Sequence, residues 1–218
     1  MIFVFSHLYI DNLTRNIASK KVIDIVPKIR YYNLYMEGGG QMEAARKLKS
    51  YTIEDIYALP DGKRAELIDG QIYYMAPPNR RHQDIIFSLS RKIADYIEAK
   101  NGVCKVYLAP FAVFLNEDDR NYVEPDISII CDSNKLNDKG CNGAPDWIIE
   151  IVSPSSRKMD YYNKLFKYRT AGVREYWVVD PDRKIVTVYE FEHDNMEEYS
   201  FDEDVPVGIY EGFSIKVQ

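Results

Sequence analysis

Residues 146–152 of this chain read Asp-Trp-Ile-Ile-Glu-Ile-Val. Apolar residues occupy both parities of the run, so neither face of an extended segment would be polar. That pattern predicts a central β-strand covered on both sides. Such a strand needs a sheet with further layers packed against it, which points to an α/β or α+β domain. Into this run the sequence places one carboxylate, Glu150. A buried acid is costly unless something pairs with it, so partners must come from elsewhere in the chain.

The flanking sequence supplies the layers. Thr52, with Asp55 three residues on, predicts a helix N-cap, and Leu59-Pro60-Asp61-Gly62 a turn that ends the helix. Asp69-Gly70 between two apolar runs predicts a hairpin over 64–76. Ile85, Ile86, Leu89, Ile93, Tyr96 and Ile97 recur at helical spacing, giving a long helix over about 81–100. Strands are expected at about 103–108, 111–115 and 122–131, then a polar loop over 132–144. After the central strand, Ser153-Pro154-Ser155-Ser156 opens a helix that Ala171-Gly172 closes. Strands over 173–180 and 184–191 follow, then an acidic surface strand and loop over 190–204, and a last strand within 209–217. The expected fold is one α/β (α+β) domain with a central mixed β-sheet flanked by helices.

Charge and cysteine usage narrow the function. Of 218 residues, 28 are Lys or Arg and 34 are Asp or Glu, a net of −6. That excludes a polycation that coats nucleic acid but leaves room for a local basic site. No run of about eighteen apolar residues exists, so no membrane-spanning helix is expected. Cys104, Cys131 and Cys141 form no CxxC pair, and the three His lie far apart. The expectation is reduced thiols in a cytoplasmic protein, with no structural zinc.

Residues 1–41 differ in character from the rest. The opening MIFVFSHLYI has no basic residue before it and no small-residue cleavage site after it, so it does not read as a secretory signal. Glu37-Gly38-Gly39-Gly40, just before Met42, looks like a translated purine-rich ribosome-binding site. Met42 is therefore the expected natural start. Residues 1–41 would be an extension, either mis-translated upstream sequence or a disordered arm with a flexible Gly linker. Residues 42–218 would form the folded domain.

A second acid stands in an apolar strand. Asp126 lies in Tyr-Val-Glu-Pro-Asp-Ile-Ser-Ile-Ile. By the two-residue period of a strand, Asp126 shares a face with Glu124 and Ser128, and Glu150 one with Asp146, Ile148 and Val152. If the two strands pair, Asp126 and Glu150 converge. Two carboxylates held together suit a hard cation such as Mg²⁺, with Mn²⁺ as the alternative. The competing reading makes each acid structural, salt-bridged to a buried Arg or Lys or capping a helix from a strand end. Between Ser153 and Arg174 stand Arg157, Lys158, Lys164, Lys167, Arg169 and Arg174 against one acid, Asp160. They read either as phosphate contacts or as a solvated helix face with Asp160 and Lys164 as an i,i+4 pair.

These motifs resemble a known family. ELIDGQIYYMAP, a His a few residues later, Val-Glu-Pro-Asp-Ile, Pro-Asp-Trp-Ile-Ile-Glu-Ile-Val-Ser-Pro-Ser, Asp160-x-x-x-Lys164 and Gly-Val-Arg-Glu-Tyr-Trp-Val-Val-Asp-Pro are similar to the Uma family of restriction endonucleases, within the PD-(D/E)xK nuclease superfamily. The likeness runs from about Tyr51 to the C-terminus. It implies a restriction-endonuclease-like core in which Asp126, Glu150 and the Ile151 carbonyl hold Mg²⁺. The Lys expected two residues after Glu150 is replaced by Val152. Lys164 of the next helix is the substitute, with Lys167 as second choice. Glu66, in the family's Glu-Leu-x-x-Gly, is a third candidate acid, or else a surface acid paired with Arg64 or a Lys. His82 reaches a phosphate or an active-site acid, or packs structurally. Asp146 reads as the residue that opens its strand.

The expected activity is Mg²⁺-dependent hydrolysis of DNA phosphodiesters. Asp126, Glu150, Lys164 and Glu66 would be catalytic, and Arg157, Lys158, Lys167 and His82 would contact nucleic acid. A homodimer would suit duplex cleavage. The main rival is a nuclease fold that binds nucleic acid or protein without cutting. A glycosidase is disfavoured because Trp147 and Trp177 read as core rather than as sugar platforms.

Overall fold

The computed structural model describes residues 49–116 and 118–217. The expectations for residues 1–41 and for a start at Met42 lie outside the described residues. The chain begins with α1 (Ile53–Tyr57), whose capping box joins Thr52 and Asp55 as the sequence indicates. Then come β1 (Ala65–Ile68) and β2 (Gln71–Tyr74), antiparallel around Asp69-Gly70. Both turn residues have positive φ, 50° and 74°, the conformation an Asp-Gly hairpin turn uses.

Helix α2 (Arg80–Ala99) starts at Asn79, whose side chain accepts from the His82 amide. The main sheet holds β3 (Lys105–Leu108), β5 (Ile127–Ile130), β8 (Trp147–Ile151), β9 (Glu175–Asp180), β10 (Ile185–Glu190) and β11 (Asn195–Ser200). Their spatial order is β11-β10-β9-β8-β5-β3, with only the β8–β9 pair parallel. The connection between those two carries a π-helical segment, Met159–Lys164, that runs into α3 (Leu165–Ala171). β4 (Val113–Phe114), β6 (Leu136–Asn137) and β7 (Gly140–Asn142) make a small separate sheet, and β12 (Val205–Pro206) pairs with β13 (Ser214–Ile215). The α+β mixed-sheet architecture is the one expected from the sequence.

The period of two along β8 divides the core. Trp147, Ile149 and Ile151 pack with Ile86, Leu89 and Ile93 of α2. Ile148 and Val152 pack on the opposite side with Tyr168 and Tyr176. Every residue of β8 is buried, so the run is central and covered on both faces. Glu150 has the parity of Ile148 and lies on the side of the π segment and α3.

Several local expectations are corrected. The strand expected over 122–131 is paired in the main sheet only from Ile127. Tyr122 and Val123 instead bridge to Leu67 and Val113. Pro125, which has no amide proton, stands between the two pairings, so Asp126 precedes its strand rather than lying inside it. The 111–115 segment joins the small sheet, and the 132–144 loop contains β6 and β7. Cys104 and Cys131 form a disulfide between the flanks of paired strands β3 and β5, and Cys141 is free. The expectation of three reduced thiols does not hold: Lys105 and Ile130 are cross-strand partners, which sets the two neighbouring cysteines side by side.

Candidate active site

Strand register brings the two acids together. Ile127 of β5 pairs with Ile149 of β8, so Asp126, one residue before β5, comes opposite Glu150. The amide of Ile151 donates to Asp126 Oδ2 at 2.7 Å. The amide of Asp126 donates to Glu150 Oε2 at 3.4 Å. Each carboxylate is therefore tied to the other's strand.

The hairpin delivers a third acid. Leu67 exchanges backbone hydrogen bonds with Tyr122, docking β1 against the chain that leads to Asp126. Glu66 is buried and its Oε1 accepts from the Glu124 amide at 3.0 Å. The surface pairing with Arg64 is not formed. Arg64 binds Glu124 instead, through Nε at 2.8 Å, and Tyr122 donates to the same carboxylate at 2.6 Å.

A lysine closes the cluster. The turn after β8 is capped reciprocally: the Ser156 amide donates to Ser153 Oγ at 3.1 Å and the Ser153 amide to Ser156 Oγ at 2.9 Å. The π segment then turns Asp160 and Lys164 inward, both buried. A π turn is rare and recurs at functional sites. Lys164 Nζ lies 2.8 Å from Glu66 Oε1, 2.9 Å from Glu150 Oε1 and 4.0 Å from Asp160 Oδ1. Val152, where the usual motif has Lys, is buried in apolar contacts.

Burial, with the neighbouring charges, shifts these groups. Burial pushes the Glu150 carboxyl up to about 8; Lys164 partly offsets this, and Asp126, Asp160 and Glu66 add to it. Burial likewise raises Asp160 to about 6, against the pull of Lys164 and a hydrogen bond to Ser156. Burial opposes the Lys164 ammonium, but Glu150, Glu66 and Asp160 outweigh it and hold its pKa well above the ordinary lysine range. His82, at the start of α2, places Nε2 3.2 Å from Asp126 Oδ2. Burial lowers its pKa, and Asp126 more than compensates, so the net shift is upward. Its Nδ1 is buried without a partner.

The donor set suits a hard cation held partly by water. Among the described residues no three His, Cys, Asp or Glu side chains are arranged to hold a metal ion. Two carboxylates and a carbonyl fit the habit of Mg²⁺, which keeps several waters. Glu66, Glu150 and Asp160 face Lys164, and Asp126 faces His82.

Most cations of the following segment are already engaged. Arg157 binds the fully buried Asp180, with Nη2 3.2 Å from Oδ1. Lys167 is buried and pairs with Asp69. Arg169 pairs with Asp194, and Arg174 with Asp146 and Glu192. Lys158 is exposed and has no acid partner among the described residues. The residues that surround this segment supply acids of their own, and Asp160 and Lys164 form the i,i+4 approach of the second sequence alternative. Asp146 opens β8 as expected, accepting from the Cys131 amide at 2.8 Å.

Tyr168 was missed by the sequence reading. Its hydroxyl donates to Glu150 Oε1 at 2.7 Å. The one local signal was spacing: Asp160, Lys164 and Tyr168 recur every four residues.

Comparison with known proteins agrees with this architecture. The family model Uma2, described as "Putative restriction endonuclease", matches residues 53–218. The uncharacterized protein sll1609 of Synechocystis sp. is 26% identical over 121 residues, 54% of this chain and 67% of that protein. Another uncharacterized protein of the same organism, slr1290, is 26% identical over 106 residues, 49% of this chain and 54% of that protein. This match spans about half the length of slr1290. The crystal structure of a "putative nuclease belonging to DUF820" from Anabaena variabilis superposes with a TM-score of 0.63 at 23% identity. The alignment covers 76% of this chain and 94% of that one, and at that identity it speaks for the fold.

Proposed function

This chain belongs to the Uma2 family of restriction-endonuclease-like proteins, and from that premise we propose that it is a Mg²⁺-dependent endonuclease that hydrolyses DNA phosphodiesters. The observation that carries the reading is the placement of Asp126 opposite Glu150 across β5 and β8, with Lys164 bound to Glu150. Asp126, Glu150 and the Ile151 carbonyl would hold the ion, with Mn²⁺ as a substitute. When bound, such an ion polarises a phosphoryl oxygen and activates water.

The protein's own groups have distinct parts. Lys164 stays protonated across any working pH, because three acids surround it. It therefore serves as a fixed positive charge that orients water and stabilises phosphoryl charge, not as a general base. Glu66 holds Lys164 through a 2.8 Å ion pair. His82, bound to Asp126, keeps that carboxylate oriented. Lys158 offers an exposed cation to the backbone of the nucleic acid, and Arg157 and Lys167 brace its surroundings through Asp180 and Asp69.

The second reading, a nuclease fold that binds without cutting, draws on the engagement of the nearby cations by acids. One experiment separates the two. Mg²⁺ and Mn²⁺ are titrated calorimetrically into the protein and its Asp126→Ala/Glu150→Ala variant, with plasmid nicking followed on the same samples. Joint loss of binding and nicking in the variant supports the endonuclease. Metal binding without nicking favours the second reading. A folded wild-type protein that takes up neither ion sinks the metal-dependent mechanism.

A further inference from the structure

The two oxygens of Glu150 face different neighbours. Oε1 accepts from Lys164 Nζ at 2.9 Å and from the Tyr168 hydroxyl at 2.7 Å. Oε2 has only the longer 3.4 Å approach of the Asp126 amide. Tyr168 is fully buried, and its ring meets the Tyr176 ring edge-to-face at 5.0 Å. A phenol clamped by that packing cannot swing away, so its hydroxyl fixes one torsional setting of the Glu150 carboxylate. Without it, Lys164 alone would hold Oε1, and an ammonium on a flexible stem imposes little direction on a carboxylate.

We propose that Tyr168 is a positioning residue: its hydroxyl turns Oε1 of Glu150 toward Lys164 and so presents Oε2, beside Asp126, as the oxygen that takes a divalent cation. This rests on the reading that Asp126 and Glu150 hold the ion. The role follows a general rule, that groups hydrogen-bonded to a ligating side chain set its direction and its metal affinity. Tyr168 touches neither ion nor substrate, and it acts only through Glu150. Asp160 completes the setting from the other end of the same stripe. It lies 4.0 Å from Lys164 and its own carbonyl accepts from the Tyr176 hydroxyl at 3.0 Å. Tyr176 thus provides a control: a buried phenol of the same packing cluster with no bond to Glu150.

The test compares the wild-type protein, Tyr168→Phe and Tyr176→Phe by calorimetric titration with Mg²⁺ and with Mn²⁺, without nucleic acid. Thermal unfolding of each confirms a folded sample. Phe keeps the ring packing in both variants and removes one hydroxyl. The expected result is a Kd for either ion raised about tenfold in Tyr168→Phe. In Tyr176→Phe it stays within about twofold of wild type, since the hydroxyl removed there bonds the Asp160 carbonyl and neither ligating carboxylate. In a Glu150→Gln background, Tyr168→Phe should produce no further loss. Unchanged affinity in Tyr168→Phe overturns the inference while leaving the metal site standing. Equal weakening in the two variants also overturns it, because that would report general loosening of the packing. Failure of the wild-type protein to bind either ion would remove the metal-site reading and this role with it.

Discussion

Glu150→Gln should make the metal-free protein less sensitive to pH. Gln keeps the size of the side chain and an oxygen that accepts from Lys164 and Tyr168, while its amide cannot ionise. In the wild-type protein burial raises the Glu150 carboxyl from 4.5 to about 8. The unfolded chain releases that proton near its ordinary value, whereas the folded protein keeps it. Its contribution to stability is therefore complete at low pH and is lost as pH rises toward 8. Asp160 and Glu175, each raised to about 6, have spent their share by about pH 6.5. His82 shifts upward and has the same sign, but it remains in both proteins. The difference between the two profiles from pH 6.5 to 8 thus belongs to Glu150. One proton is worth about 1.4 kcal/mol per pH unit, so wild type should lose about 2 kcal/mol more than the variant over that window. For a domain of this size that is roughly 4–8 °C in Tm. Urea unfolding at half-unit pH steps, in buffer with a chelator, measures it. Parallel profiles for the two proteins would show that Glu150 is not held protonated by its surroundings, and the reasoning about crowded acids would fail.

Two further outcomes follow from the same geometry. Lys164→Met should abolish nicking and cost about 3–5 kcal/mol at pH 8, because Glu66 and Glu150 lose their buried cation. The cost should shrink toward pH 6, where Glu150 is protonated, and chemical denaturation at the two pH values reads both effects. Ile149→Ala, in the fully buried centre of β8 against α2, should destabilise by about 2–5 kcal/mol through lost burial and the cavity left behind, with no change in metal affinity in the folded protein.

The Asp69-Gly70 hairpin, the Thr52 cap, the long amphipathic helix and the doubly covered strand at 147–151 were legible because each is set by local chemistry. A turn needs positive φ, a cap needs a side-chain oxygen, and a helix or buried strand needs a characteristic spacing of apolar residues. The acids Asp126 and Glu150 stood out for a similar reason, since a carboxylate in an apolar run asks for a partner. Pro125 could have warned that the strand before Ile127 is interrupted, because proline removes a ladder donor. The side-by-side placement of Cys104 and Cys131 had no local signal. It depends on the pairing of β3 with β5.

What the sequence alone determined was the main helices and strands, the mixed-sheet class and the presence of two acids, Asp126 and Glu150, in apolar surroundings. Which groups answer those acids was decided only by the tertiary structure. The sum of register positions across β5 and β8 sets Asp126 against Glu150, and the docking of Leu67 on Tyr122 brings Glu66 to Lys164 across 98 residues of chain. The same packing sends Arg157 to Asp180 and Lys167 to Asp69. Local sequence can state that a charge needs a partner. Choosing among partners is a matter of which side chains the folded backbone brings within a few ångströms, where Coulomb attraction and hydrogen bonding outweigh the cost of leaving water.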